Sequence, residues 1–485
     1  MKRIYPHKSL MTAALLSVML LALSCKKLVD VPPPTTSISS ADVFNSDATA
    51  ISAVTNIYSA MSNSGVQGGL CMMNLFPGLS ADELAAFNTG NALNTAYYTD
   101  NLTNSDPGSA DFWSAAYPVV YQANAAIEGL SASGGLTPAV KQQLLGEAYF
   151  MRAFCYFYLV NLYGDVPLAL SSNYKVNELL PRTPAKQVYS QLIADLVQAQ
   201  SLLSTQFLDG TVLNSSTDRA RPSRWAATAL LARAYLYYDN LTGATDYSNA
   251  AAQASLLISQ TGLFSLSSLN TAFLRASSGN NEAIWQLQPV LSGQNTPDAW
   301  LFILPSSGPS STYPFYLNTD LVNSFENGDQ RRVDWIDSVT VSSTIYYYVY
   351  KYKSATLNAP VTEYETVFRL AEQYLIRAEA AANDGSSSAA LNDINVIRQR
   401  AGLPDYSGAT DKASLLTEIL HQRQDEFFTE WGHRWLDLKR AGTVDEVMSI
   451  AAPQKGGTWS SYKQLYPINL TELQREPGLT QNPGY

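Results

Sequence analysis

Trp225-Ala226-Ala227-Thr228-Ala229-Leu230-Leu231-Ala232-Arg233 reads as a helix buried among other helices. Trp225, Ala229, Ala232 and Leu236 recur at three- and four-residue steps, which is the period of one helical face. Ala226, Ala227 and Ala234 put small side chains in the other directions, so a neighbouring helix can come close. Pro222 and Ser223 stand just before the run, where a helix start is expected. The same use of small residues returns at Ala371, Ala378, Ala380 and Ala381. Both stretches predict helix pairs packed in solenoid fashion and a mainly α fold.

Working outward, the pattern continues on both sides. Ala50, Val54, Ile57, Tyr58 and Met61 mark an amphipathic helix. Trp113, Ala116, Tyr117, Val120, Ala123 and Ile127 mark another, with Pro118 expected to disturb it. Thr137-Pro138 opens a third, which Gly164 ends; Tyr149, Tyr156 and Tyr163 share its face. Thr183-Pro184 opens a fourth, with Val188, Leu192 and Leu196 inward, and a further helix is expected over Tyr247 to Ser259. Helices thus dominate residues 38–261. Residues 262–364 read as a loop-rich insert dense in Gly, Pro, Ser and Asn, with short strands at Ala283–Gln288 and Ile345–Lys353. In the second strand Tyr346, Tyr348, Tyr350 and Tyr352 would share a face and pack as sheet. Helices resume over 365–440, at Val367–Ala382, Ala389–Arg400, Leu415–Thr429 and Trp435–Lys439. Residues 441–485 read as C-terminal loops.

Composition narrows the function classes. The 485 residues are 46% hydrophobic, which excludes intrinsic disorder, and only 15% charged. There are 29 Tyr against 31 Lys plus Arg, a polarity suited to neutral ligands. A net charge of −10 argues against a nucleic-acid partner. Three His and three Cys leave little for a metal centre or a disulfide framework, and no cofactor is expected. The start is a lipoprotein signal over residues 1–24: Lys2, Arg3 and Lys8, then an apolar Leu10–Leu23, too short to span a bilayer. Small Ala22 and Ser24 precede Cys25, as in a bacterial lipobox whose Cys is acylated; a plain secretory signal is the alternative. Residues 25–37 carry Pro32, Pro33 and Pro34, a semi-rigid tether that would hold the body off a membrane.

Ordered segments across the rest of the chain resemble the SusD/RagB family of outer-membrane nutrient-binding lipoproteins. They include Arg152-Ala153-Phe154-Cys155-Tyr156-Phe157, Tyr163-Gly164-Asp165-Val166-Pro167 and the Trp225–Arg233 run. Arg369-Leu370-Ala371-Glu372, Glu430-Trp431-Gly432-His433-Arg434-Trp435 and Leu465-Tyr466-Pro467-Ile468 follow in order. Asn469 and Glu476 stand where the family favours Pro and Asn. The resemblance implies one domain over 38–485, with tetratricopeptide-like helix pairs in an α–α superhelix. It implies a surface-exposed, lipid-anchored protein of the outer membrane that captures oligosaccharide and breaks no bond. The implied partner is a SusC-like TonB-dependent barrel that imports the ligand. A peptide-binding subunit of the same kind of complex and a surface α-helical glycoside hydrolase are the alternatives.

Most motif residues read as structural: Arg152 and Arg233 as interhelical ion pairs, His433 as a packing or hydrogen-bonding residue, and Arg434, Asp437 and Arg440 meeting at three-residue helical steps. Glu372 and Glu379 are expected to pair with Arg369, Arg377 or a neighbouring helix. Sugar binding calls for an aromatic plane against the C–H face and amide or acid groups at the hydroxyl rim. Two segments have that composition. One contributes Asp82, Phe87, Asn88, Asn94, Tyr97 and Tyr98; the other contributes Trp300, Tyr313 and Tyr316. Trp113 and Trp225 sit at helical core spacing, and Tyr117 and Tyr121 are assigned to the helical core as well.

Overall fold

The computed structural model describes residues 43–63, 69–87, 90–106, 111–243 and 247–485. The signal, Cys25 and the tether lie outside the described residues, and so does Asn88. Phe44–Tyr485 forms one compact unit.

Four elements come first: α1 (Asp47–Asn63), α2 (Phe76–Ser80), β1 (Leu84–Ala86) and α3 (Ala92–Tyr98). Long helices α4 (Phe112–Ala132) and α5 (Pro138–Tyr163) follow. After β2 (Val166–Pro167), the single-turn α6 (Tyr174–Asn177) and β3 (Arg182–Thr183) come α7 (Ala185–Leu202), α8 (Arg224–Thr242) and α9 (Ser248–Ile258). The next region holds β4 (Ala283–Leu287), α10 (Pro297–Phe302), β5 (Phe315–Leu317), α11 (Thr319–Ser324) and α12 (Gln330–Trp335). It ends in the hairpin β6 (Ile336–Val341) and β7 (Thr344–Val349). The chain then returns to helix after β8 (Glu365–Arg369), with α13 (Leu370–Asn383), α14 (Ser387–Arg400) and α15 (Lys412–Phe427). It closes with α16 (His433–Arg440), α17 (Val444–Gln454) and α18 (Leu470–Arg475).

The helices pack in succession: α4 on α5, α5 on α7, α7 on α8, α8 on α9, α9 on α13, and α13 on α14 and α15. Ala226, Ala227, Ala229, Ala232 and Ala234 are all fully buried on α8, as the small-residue pattern predicts. The fold is mainly α, with four two-stranded antiparallel ladders: β1–β5, β2–β3, β4–β8 and β6–β7. No helix among the described residues is long and apolar enough to cross a membrane.

Several expectations change. Pro118 sits inside α4 without ending it. Burial of Trp113, Ala116, Val120 and Ala123 holds the helix through the ring. Val367–Arg369 is strand rather than helix, because this buried run pairs with β4, Trp285 opposite Phe368. A short apolar run of this kind does not announce its period. The strand at 345 stops at Val349, so only Tyr346 and Tyr348 of the four tyrosines belong to it. Tyr352 instead is buried, its ring 5.3 Å from Phe273 and its hydroxyl accepting from the Thr366 amide. Helix α17 lies where loops were expected, and α3 lies within the first candidate ligand segment. Tyr121 is 52% exposed and is not a core residue.

Candidate functional site

The family-motif charges build the interior. Arg152 on α5 pairs with Asp195 on α7 at 2.7 Å, and Arg233 on α8 pairs with Glu372 on α13 at 2.5 Å. Glu379 bonds Arg440, so both motif glutamates pair with neighbouring helices. His433 is buried between the guanidiniums of Arg233 (3.3 Å) and Arg423 (3.1 Å). Burial and those cations push its pKa well below the ordinary imidazole value, so the ring is neutral. Asp437 takes Arg440 at 2.8 Å and Arg423 at 2.7 Å. Arg434 departs from the expected helical step: it reaches Asp82 with two bonds of 2.8 and 2.7 Å. Asp82 is therefore committed to structure. Burial alone would raise its pKa, but Arg434 holds it below the ordinary carboxyl value. Glu83 beside it is buried and makes no ion pair among the described residues; burial and the Asp82 charge push it up to about 8, against the pull of Arg434 and Lys351.

These contacts set the platform for α3. Lys455, just after α17, is buried and donates to the carbonyls of Leu79, Ser80 and Ala81 at 2.8–3.0 Å. It also pairs with Asp100 at 2.9 Å, so one ammonium ties the end of α2 to the end of α3. Tyr97 on α3 turns inward, 4.3 Å from Phe76 and 5.3 Å from Tyr466 between ring centroids. It is 1% exposed and offers no ring to a ligand. Asn94 is buried as well. Tyr98, on the other side of the helix end, is half-buried, with Lys455 Nζ 5.7 Å from its ring.

The two candidate segments, more than 200 residues apart in sequence, meet through β1 and β5. Ala85 lies opposite Tyr316, and the Phe87 amide donates to the Pro314 carbonyl at 2.7 Å. The Asn318 amide donates to Glu83 at the other end of the ladder, at 2.8 Å. Phe87, at 40% exposure, therefore emerges beside β5. Tyr316 is half-buried, and its ring meets Tyr346 of β7 edge-on at 5.2 Å. Tyr98 lies close enough to Tyr316 to feel its charge, Tyr316 in turn feels that of Tyr346, and burial raises both pKa values, so both stay neutral donors. Tyr313 is half-buried in the turn leading into β5. Trp300 is half-buried on α10, which packs on β5, and its buried indole N–H has no partner among the described residues. On the flank of α3, Asn91, Thr95, Asn101 and Thr103 line an open polar cavity of about 470 Å³.

So the structure gathers Phe87, Tyr98, Tyr313 and Tyr316 around one ladder and sets Asp82, Asn94 and Tyr97 into its support. Tyr346 joins the group, although its alternating run reads as sheet packing. The signal was present, since a residue on an exposed strand face needs a cover, but the β5–β7 approach that supplies Tyr316 is not visible in sequence. Among the described residues, Glu326, Glu418 and His421 bring possible metal-ligand atoms within 4.8 Å of one another. Arg398 already bonds both glutamates, at 2.5 and 2.7 Å. Hydrogen bonds to Asp425 and Glu418 push His421 up to about 10, so it carries a proton. Cations the protein supplies itself fill that cluster.

Comparison with known proteins adds independent findings. Residues 276–485 match the model of the SusD family, and residues 37–236 match a model described as starch-binding, associating with outer membrane. SusD-like protein P2 of Formosa agariphila is 25% identical over 91% of this chain and 93% of its own length. A SusD superfamily protein from Bacteroides vulgatus superposes with a TM-score of 0.77 at 22% identity, covering 90% of this chain and 99% of its own. Surface glycan-binding protein A from Bacteroides uniformis superposes with a TM-score of 0.75 at 21% identity, covering 90% and 99%.

Proposed function

The chain belongs to the SusD/RagB family, and from that premise we propose that it is the glycan-binding subunit of an outer-membrane uptake complex. In this reading acylated Cys25 anchors it in outer-membrane lipid at the cell surface. The body captures an oligosaccharide, and a SusC-like TonB-dependent barrel imports it. The observation that carries the reading is the convergence of Phe87, Tyr98, Tyr316 and Tyr346 on the β1–β5 ladder. Ring faces next to neutral hydroxyls suit a sugar, whose C–H face is apolar and whose rim donates and accepts. The glycan-binding description of the Bacteroides uniformis neighbour favours sugar over peptide.

A glycoside hydrolase needs two carboxyls about 5–10 Å apart, flanking the bond. The acids that lead into β1, Asp82 and Glu83, are both buried, and Asp82 is spent on Arg434. We therefore assign binding without bond cleavage. The test is calorimetric titration of the full-length chain with malto- and laminari-oligosaccharides and with short neutral peptides. The expected outcome is sugar binding, sugar recovered at its original length, and at least tenfold weaker binding in Tyr316→Ala. Shortened sugar would overturn the binding-only reading, and peptide binding alone would replace the ligand class.

A further inference from the structure

A second cavity lies away from the β1–β5 ladder, between α4, the 169–177 segment and the C-terminal α18. Its inner lobe of about 170 Å³ is lined by Trp113, Tyr117, Tyr121, Asn177, Glu472 and Glu476. An adjoining outer lobe of about 440 Å³ shares Trp113, Tyr117, Tyr121 and Glu472 with it.

Donors and acceptors in the inner lobe are unequally spent. The Tyr117 hydroxyl donates to the Pro167 carbonyl at 2.8 Å. Asn124 donates to the carbonyls of Ala169 and Ser171 at 3.0 and 3.2 Å. Asn177 donates to the Ser171 carbonyl at 2.7 Å, and its own buried Oδ1 has no hydrogen-bond partner among the described residues. Among the described residues no hydrogen bond or ion pair reaches the Glu476 carboxylate. Glu472 has only Arg475, 3.4 Å away with a side chain 71% exposed. The groups left to a ligand are thus the Asn177 carbonyl oxygen and the Glu476 carboxylate, with Glu472 held only by an exposed arginine, beside the half-exposed ring of Tyr121. An acceptor-rich lining with an aromatic face fits a cation that carries several N–H donors. Burial raises the pKa of both glutamates, and the Glu472 charge adds to the rise at Glu476. A bound cation would relieve that repulsion.

We propose that this cavity is a second ligand site, selective for a primary ammonium group, with Glu476 and Asn177 as its acceptors and Tyr121 as its aromatic wall. Glu472 and Glu476 are joined at the end of α18, where the Glu476 amide donates to the Glu472 carbonyl at 3.0 Å, and both line the inner lobe. The site shares no residue with the β1–β5 group, so it stands or falls separately from the function proposed above.

The test is titration of the full-length chain with glucosamine, glucose, N-acetylglucosamine and lysinamide, repeated on Glu476→Gln and Tyr316→Ala. Glucosamine or lysinamide should bind at least tenfold more tightly than glucose and N-acetylglucosamine. Which of the two amines binds tells whether the ammonium comes from an amino sugar or from a peptide. Glu476→Gln should weaken that binding at least tenfold, while Tyr316→Ala leaves it unchanged. Tyr121→Ala, which removes an exposed ring without touching the core, should weaken it as well. The proposal is overturned if neither amine binds, if glucose binds as tightly, or if Glu476→Gln binds like the parent.

Discussion

Asp82 shows how a residue of the right type can be spent before a ligand arrives. It was a candidate for the sugar rim, yet the bidentate bond to Arg434 makes it a buried partner of α16. Arg434→Ala leaves that carboxylate buried and uncompensated, and should cost about 3–5 kcal/mol in urea unfolding. A loss below about 1 kcal/mol would mean that water reaches Asp82. Asp298 and Glu365 are a different case. Asn74 bridges them at 3.0 and 2.9 Å, and burial raises both pKa values; the Asp298 charge adds to the rise at Glu365, while at Asp298 the Glu365 hydrogen bond works against it. A carboxyl whose pKa rises on folding holds its proton in the native state after the unfolded chain has lost it. Its contribution is therefore full at acid pH and declines as pH rises through the raised value. Glu365→Gln should be more stable than the parent at pH 8 and equal to it near pH 4, and an equal gap at both pH values would refute the pairing. Cys25 lies outside the described residues, so its role rests on the lipobox alone. Cys25→Ser should move the protein from the membrane fraction to the soluble fraction; an unchanged distribution would exclude the acyl anchor.

At the scale of elements, the candidate site depends on how short pieces are pinned. Three-residue strands such as β1 and β5 cannot persist alone. Their pairing is bracketed by the Phe87 and Asn318 amides, and α3 is held beside it by Lys455. The chain after Lys455 turns back at Gly456 and Gly457. A methyl on Gly457 would fall 1.9 Å from the Thr99 carbonyl, a backbone atom that cannot swing away. Gly457→Ala should therefore push the end of α3 off its seat, cost about 1–3 kcal/mol, and weaken sugar binding through Tyr98. Normal stability with normal binding would show that α3 does not depend on this turn. The helical elements were legible because their periods are long: the stripes on α1, α5, α7 and α8 fall where the side chains predict. Short elements were not. A buried strand such as β8 and a single-turn helix such as α6 are too brief for a period to show, and only their partners define them.

Across the whole molecule, buried charge joins segments that the alternating layout of helices and insert keeps apart. Arg369 of β8 bonds Glu282, Glu426 and Glu430; Arg400 bonds Glu282 and Glu426; Arg331 of α12 bonds Glu426 and Asp329. Burial would raise the Glu426 pKa, but Arg400, Arg369 and Arg331 hold it far below the ordinary value. Its stabilisation is present above the unfolded carboxyl range and is lost as pH falls below about 4. Because these pairs are buried, salt screens them poorly. The unfolding midpoint at pH 7 should change little between about 0.05 and 0.5 M NaCl, and a large fall would place the stabilising charge on the surface instead. By itself the sequence determined the helical architecture, the family, and which segments are rich in aromatic and amide side chains, because periodicity and ordered motifs are local properties of the chain. Only the tertiary structure decided that Tyr97 faces the core while Tyr98 faces the ladder, that Tyr346 belongs with Tyr316, and that an acceptor-lined cavity opens beside Tyr121. Each of those facts depends on which distant segment covers a side chain, and coverage is set by packing across the fold rather than by neighbours in sequence.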